Sequence, residues 1–370
     1  MKRITALVLA LMMVLALAAC GGNKTPTTSG SPTPSSSAQP SGEPAPTDSS
    51  EPAGVNFDKA VKMTFATSGK AGSLSALMYE NWMDMVTERS GGKITFDYQP
   101  GGVLGNEGEL FQQIMDGVIE AGGGGIATYT NYNTLAEVYQ LPFLINSYET
   151  EWAALQTPEW QAIIDAVEES IGSVYICGTV DVGMRHVASV NKPVTCLADM
   201  QGLKIRTASS TVLIEALEDL GASPIVVGYT EVYSALSNGV VNAEDVNYMT
   251  AVAQSHFEVC KYFTEVGMYP YPTFMCFNKN FIDSLPEGYW DFMQECMNEA
   301  METFFTETIV GADANYRKVL EDNGVTIYEL SDLDAWRAAI QPLYDEYTAE
   351  GTDQRIIDFI NAVEAIKANQ

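Results

Sequence analysis

Histidine is nearly absent from this chain: its 370 residues include only two, His186 and His256. No C-x-x-C or H-E-x-x-H spacing accompanies them, so a zinc site would have to be assembled from carboxylates and scattered cysteines, and no metal or other cofactor is expected. A G-x-S-x-G elbow is also missing, which leaves no marked nucleophile, and either histidine reads equally well as structural. Basic side chains are scarce, 19 Lys and Arg against 48 Asp and Glu, a net charge of −29. A phosphate polyanion would be repelled over almost the whole surface, which excludes nucleic acid as a partner. Beyond the first twenty residues no apolar run reaches the roughly 20 residues needed to span a bilayer, so the folded part is expected to be soluble.

The beginning of the chain is different. Lys2 and Arg3 precede an apolar stretch from Ile4 to Leu17 that ends in Leu17-Ala18-Ala19-Cys20. Positive charge, a short apolar run and small residues at a cleavage point make a signal peptide over 1–19. A cysteine directly after the small residues resembles the bacterial lipobox, which implies lipidation of Cys20 as the new N-terminus. From Gly21 to about Gly54 the chain is mostly Ser, Thr, Pro, Gly and Ala, too poor in apolar side chains to fold. Residues 20–57 therefore read as a tether with a coil span of roughly 30–35 Å.

The remainder, from about Val55 to Gln370, is long enough for two domains. Its five cysteines, Cys177, Cys196, Cys260, Cys276 and Cys296, are odd in number and not closely paired, which favours buried thiols over disulfides. Lys62 to Ala66 reads as a strand, Ser73 to Arg89 as an amphipathic helix and Ile94 to Tyr98 as a second strand. Asn106 to Gly117 then reads as a helix, and further strands fit at Ile119-Ala121, Val174-Thr179, Arg185-Ala188, Leu203-Ile205, Ile225-Val227 and Thr273-Asn278. Helices fit around Thr211-Leu220, Thr230-Asn238 and from about Tyr289 to Asp322. Strands alternating with helices predict an α/β protein with largely parallel sheets.

Ala121 to Ala127 formally contains G-x-G-x-x-A, but Thr128 to Asn133 reads as loop, whereas a dinucleotide fingerprint needs a helix there. The glycines instead suggest close backbone approach at a strand end beside a cleft. In so acidic a protein, an inward-pointing arginine is either paired to a structural carboxylate or reserved for an anion from solution. Arg206 ends the apolar strand Leu203-Ile205, where an α/β sheet opens into its crevice, and Arg185 lies in the segment before it. The planar guanidinium can hold a carboxylate with two parallel hydrogen bonds.

Taken together, several segments make the chain similar to the DctP-type solute-binding proteins of tripartite ATP-independent periplasmic (TRAP) transporters, from about Val61 to Glu350. They are Ser90-Gly91-Gly92-Lys93-Ile94, Leu104-Gly105-Asn106-Glu107, Asp116-Gly117 and Leu141-Pro142-Phe143, then Gly183-Met184-Arg185, Asp199 to Arg206, Glu231 to Leu236 and Gly239-Val240-Val241. The resemblance implies a two-domain, periplasmic-binding-protein-like fold with a ligand cleft between domains, hinge strands and a long spanning helix. It implies domain I at 58–182 plus 272–311 and domain II at 183–271 plus 312–370. It further implies that Arg206 clamps a substrate carboxylate and that Arg185 is a second, substrate-dependent cation. Tyr229 is implied as an aromatic wall, Ser68 and Gly125 as cleft positions, and Tyr129 as their neighbour. Where relatives carry a polar cleft residue this chain has Val246, with Asn247 one residue on. Either a small shift brings Asn247 into the cleft, or the pocket is more apolar there.

The function so implied is capture of a small organic acid and its delivery to a TRAP-type membrane permease, by a monomeric lipoprotein facing outward and without chemistry on the ligand. A binding protein of an ATP-driven importer, a ligand sensor and a secreted hydrolase are the alternative readings.

Overall fold

The first strand arises where apolar and polar residues alternate, and its buried residues Met63 and Phe65 share one face. In the computed structural model, which describes residues 55–309 and 311–370, this strand is β1, Val61–Thr67. The signal peptide expected over 1–19, Cys20 and the tether as far as residue 54 lie outside the described residues. β2 is Ile94–Gln99, β3 Ala121–Gly125, β4 Val174–Asp181 and β5 His186–Ser189. β6 is Lys204–Thr207, β7 Ser223–Val226, β8 Ala243–Val246, β9 Tyr262–Glu265, β10 Pro272–Asn278 and β11 Thr326–Glu329.

Two sheets result, one in the order β2-β1-β3-β10-β4 and one in the order β11-β9-β5-β8-β6-β7. The fold is mixed α/β rather than largely parallel, and the departures from parallel have one cause. Strands preceded by a helix end their C-termini toward the cleft. β5 and β10 instead enter their sheets directly from the other lobe, so they start at the cleft and run antiparallel to both neighbours. The two crossing segments are bonded to each other: Arg185 N–H donates to Tyr269 O at 2.8 Å and Met268 N–H to Arg185 O at 2.8 Å. Asp181 Oδ1 accepts from Val182 N–H at 2.7 Å and Tyr271 N–H at 3.1 Å, joining the same two segments.

The helix Leu74–Arg89 starts at Ser73, whose hydroxyl accepts from Ala76 N–H, and it buries Trp82 against Phe65 and Phe277. The long acidic helical region is broken in two: Tyr289–Thr303 continues through a π-helical turn, Phe304–Thr308, before Ala312–Asp322 begins. Its first part packs on the helix Leu74–Arg89 and on β4, its second on the helix Tyr248–Ala253 and on β11, so it spans both sheets. The last helix, Gln354–Ala368, packs on Tyr148–Leu155 and Pro158–Ile171, helices placed beside the first sheet, although the sequence division assigns 312–370 to the second domain.

The sequence reading also missed β8, β9 and β11, short strands whose four residues carry too little alternation to stand out. The five cysteines 177, 196, 260, 276 and 296 are free thiols, and burial pushes the thiols of Cys177, Cys260, Cys276 and Cys296 up. No described helix is long and apolar enough to cross a membrane.

Candidate functional site

A cavity of about 320 Å³ lies where the cleft ends of the two sheets face each other. Ser68 after β1, Glu107 at the start of the helix Glu107–Met115, and Thr128 and Asn131 beyond β3 form one side. Arg206 on β6, Val227 after β7 and Tyr229 form the other, with Arg185 and Tyr271 contributed by the two crossing segments.

Arg206 is the second-to-last residue of a strand hydrogen-bonded on both sides, opposite Ile225 of β7 and Glu244 of β8. It is 5% exposed. Its Nε and Nη2 both donate to Val227 O, at 3.0 and 2.9 Å, which fixes the plane of the guanidinium. Among the described residues no carboxylate oxygen lies within 4.0 Å of it and no other protein acceptor is engaged. A buried cation with no carboxylate at ion-pair distance is costly in a folded protein, and Asp245 acts on Arg206 only from farther away. An anion entering the cavity removes that cost.

Arg185 is different. Its Nη1 donates to Asp245 O at 2.9 Å with Asp245 Oδ2 at 4.0 Å, and the guanidinium lies 4.0 Å over the Tyr271 ring. Tyr269 Oη donates to the same Asp245 carboxylate. Burial holds the Asp245 carboxyl above its usual range, opposed by Arg185 and Arg206. Arg185 Nε has no hydrogen-bond partner among the described residues. This arginine lines the cavity and is already paired.

Of the remaining expected residues, Ser68 and Tyr229 line the cavity. Ser68 Oγ donates to Glu107 Oε1 at 3.0 Å, and Tyr229 Oη accepts from Gln254 Nε2 at 2.8 Å. Gly125, Tyr129 and Asn247 are not among the lining residues. A Cβ on Gly125 would come within 2.7 Å of the Tyr271 ring, so this glycine makes room for a protein side chain rather than for a ligand. Tyr129 stands edge-on to Phe111 and Phe274 and donates to Phe274 O at 3.2 Å, which places it in the core. Asn247 caps the helix Tyr248–Ala253, its Oδ1 accepting from Thr250 N–H at 2.7 Å, and Val246 is buried in the core of the second lobe. Neither residue of this pair lines the cavity; the lining residues from this stretch are Met249 and Thr250.

The glycine run also needs correcting. A short helix, Ile126–Thr130, does follow it, so the reason given against a nucleotide loop fails. The glycines are themselves β3, a central strand flanked by β1 and β10, and not a phosphate-binding turn. A Cβ at Gly123 would meet Tyr79 Oη at 2.5 Å, so close packing under the sheet explains its lack of a side chain.

Glu107, Thr128, Asn131 and Tyr271 were not singled out from sequence as lining residues. Thr128 and Asn131 follow the cleft end of β3 and Tyr271 directly precedes that of β10, a signal that could have found them, whereas Glu107 opens the helix after β2. Neither histidine lines the cavity. His186 Nδ1 accepts from Val266 and Gly267 N–H, and burial lowers its pKa to about 4; His256 Nδ1 lies 2.8 Å from Glu244 Oε1.

Comparison with known proteins agrees with this architecture. A "Solute-binding protein" of Chromohalobacter salexigens is 24% identical over 271 residues, 73% of this chain and 80% of that protein. The C4-dicarboxylate-binding periplasmic protein DctP of Rhodobacter capsulatus is 25% identical over 268 residues, covering 71% and 79%. Among solved structures, a sugar acid binding protein of Advenella mimigardefordensis in complex with galactonate superimposes with a TM-score of 0.79 at 19% identity, covering 83% of this chain and 99% of that one. A TRAP periplasmic solute binding protein of Anaerococcus prevotii with bound glucuronate gives 0.77 at 23%, covering 84% and 99%. The model of the bacterial extracellular solute-binding proteins, family 7, matches residues 65–350, and the chain belongs to that family, the DctP family.

Proposed function

We propose that this protein captures a small organic acid outside the cytoplasm and delivers it to a TRAP-type membrane permease, without chemistry on the ligand. The observation that carries the reading is Arg206, a buried guanidinium held in plane by Val227 O, facing a cavity and lacking a carboxylate partner among the described residues. The acid docks on Arg206 while the lobes are apart. Closure then expels water, and the lower local dielectric strengthens the ion pair. Binding favours the closed form only through contacts from both lobes, a condition met by a cavity lined from both sheets. Ser68, Tyr229 and Arg185 are assigned to ligand contact; Gly125, Tyr129 and Asn247 support that surface from behind.

The lobes are assigned as 58–182 with 272–311 and 183–271 with 312–370; the grouping of strands into two sheets supports this, with the last helix returning to the first lobe. The protein acts as a monomer, and acylated Cys20 with the tether through residue 57 holds it at the outer face of the cell membrane, as the lipobox-like sequence suggests. Native mass spectrometry of the purified protein tests the ligand class. A carboxylate-bearing mass that is lost in Arg206→Ala supports the reading, and a neutral sugar or a metal in its place sinks it.

A further inference from the structure

Buried acid is gathered where the chain passes from one sheet to the other. Asp181 ends β4 and takes Val182 N–H and Tyr271 N–H on Oδ1, one from each crossing segment. Its Oδ2, and Oε2 of Glu151 on the helix Tyr148–Leu155, belong to fully buried residues and have no donor among the described residues. The two carboxyls are bonded to each other, which requires a proton between them. Burial, and after it the charge of Asp181, raises the Glu151 carboxyl well above its usual range, so this proton stays in place.

Asp313 is the third carboxyl of the group. It lies in the first turn of Ala312–Asp322, the part of the spanning helix that packs on the helix Tyr248–Ala253 and β11, and it accepts from Tyr148 Oη on a helix beside the first sheet. Tyr148 Oη in turn accepts from Met184 N–H at 3.3 Å, on a crossing segment. Rotation of one sheet against the other has to strain or break this chain of bonds.

The groups around Asp313 offer it no counter-charge. Asp181 faces it from β4 and Glu265 from β9, and β11 sets Glu329 in register with Glu265. Tyr248 donates to Glu265, Arg317 on the same helix as Asp313 is bound by Glu265 at 3.0 Å and Glu321 at 2.7 Å, and His186 on β5 is held neutral by burial. Among the described residues neither Asp313, Asp181 nor Glu151 forms an ion pair. Burial first, with Asp181 and Glu265 adding to it and Tyr148 opposing, lifts the Asp313 carboxyl to about 6. Water reaching it in an opened protein returns it toward the ordinary value of about 4. A carboxyl whose pKa is higher in the closed form favours closure below the open-form value, and that advantage is lost as pH rises through the closed-form value.

We propose that Asp313, with the carboxyl pair beside it, links lobe closure to protons: closing takes up a proton at the hinge, so ligand is held tighter in acid and released more readily as pH rises. This goes beyond the organic-acid reading and needs only a cleft that closes.

Isothermal titration calorimetry of the full chain with D-glucuronate and orotate, acids found in two solved relatives and ionised from pH 5 to pH 8, reads both affinity and proton exchange with the buffer. Either acid that binds is expected to bind about 10-fold tighter at pH 5 than at pH 8, taking up close to one proton at pH 5 and almost none at pH 8. Asp313→Asn, uncharged throughout, is expected to keep the tighter affinity at pH 8 and to take up no proton. Tyr148→Phe removes the donor that steadies the ionised carboxylate and is expected to move the midpoint of the profile to higher pH. Hydrogen exchange reads the hinge without ligand. The amides of Met184, Arg185 and Met268 are expected to exchange faster in wild type than in Asp313→Asn at pH 8, and equally at pH 5.

Affinity that is the same at pH 5 and pH 8, or a full pH dependence retained by a folded Asp313→Asn protein, overturns the inference and leaves the organic-acid reading in place. If neither acid binds, exchange decides alone: a wild-type to variant ratio equal at both pH values sinks the proton link, and a faster wild-type hinge confined to pH 8 supports it. If Asp313→Asn does not fold, a Tyr148→Phe profile with an unmoved midpoint overturns it as well.

Discussion

Arg206 and Arg185 line one cavity with the same side chain and nearly the same burial, yet their surroundings differ in one respect that decides what each can do. Arg185 stands on a segment that crosses between lobes, with Asp245 and the ring of Tyr271 against it. Arg206 stands on a strand inside one sheet, and its nearest acceptor is the backbone carbonyl of Val227. A carbonyl orients a guanidinium without neutralising it. The charge of the first arginine is therefore already matched within the protein, and that of the second is held ready for something from outside.

Substitutions can break this comparison. The largest effect is expected from Arg185→Ala, which leaves Asp245 buried without its ion-pair partner and should cost about 3–5 kcal/mol of stability in a urea unfolding experiment. If stability is unchanged and only ligand affinity falls, the two arginines are equivalent. Arg206→Ala should behave oppositely, losing about 2–5 kcal/mol of binding free energy by calorimetry while the unfolding transition of the ligand-free protein stays in place or rises, because a buried cation without a contacting carboxylate is removed. A large loss of stability in this variant would mean that Arg206 has a structural partner.

The polar cluster behind Arg185 titrates. Burial, with Asp181 and Glu265 nearby, raises the Asp313 carboxyl from 3.8 to about 6, while Tyr148 donates to it and opposes the rise. A carboxyl whose folded pKa is raised contributes stability that is complete below its unfolded value and is lost as pH rises through the folded one. Between about pH 4 and 6 the protein should thus lose up to ~3 kcal/mol through this group, and Asp313→Asn should flatten that part of the stability profile. His186 has the opposite sign: lowered to about 4 by burial, it contributes stability present above its ordinary value of 6.5 and lost as pH falls through about 4. The smallest effect is expected from Asn247→Ala. Removing this helix cap should cost about 1 kcal/mol of stability with no change in ligand affinity, whereas a lost ligand would return Asn247 to the cavity wall.

The difference between the arginines also marks how far the sequence could be read. Arg206 was found because the rule that α/β sheets open at the C-terminal ends of their strands is local to each strand, whereas Ser68 was implied by the family resemblance alone. Tyr129 and Asn247 were misplaced by a single turn of chain: both follow strand ends, but their side chains fold back, one onto Phe274 and one onto the first turn of its own helix. The antiparallel course of β5 and β10 could not be seen in their residues, because it depends on which lobe the preceding strand belongs to. Glu107 was visible only as part of a segment that resembles the family, and nothing in Leu104-Gly105-Asn106-Glu107 says that it lines the same cavity as Arg206.

By itself the sequence determined the α/β alternation, the acidic balance that turns away polyanions, the candidate arginines and the family, all of which depend on short segments and on composition. Only the tertiary structure decided which arginine is spent and which is free. Ion pairing acts over about 4 Å, and the carboxylates that close that distance among the described residues, Asp245 to Arg185 and none to Arg206, are brought there by strand order and not by neighbourhood in the chain.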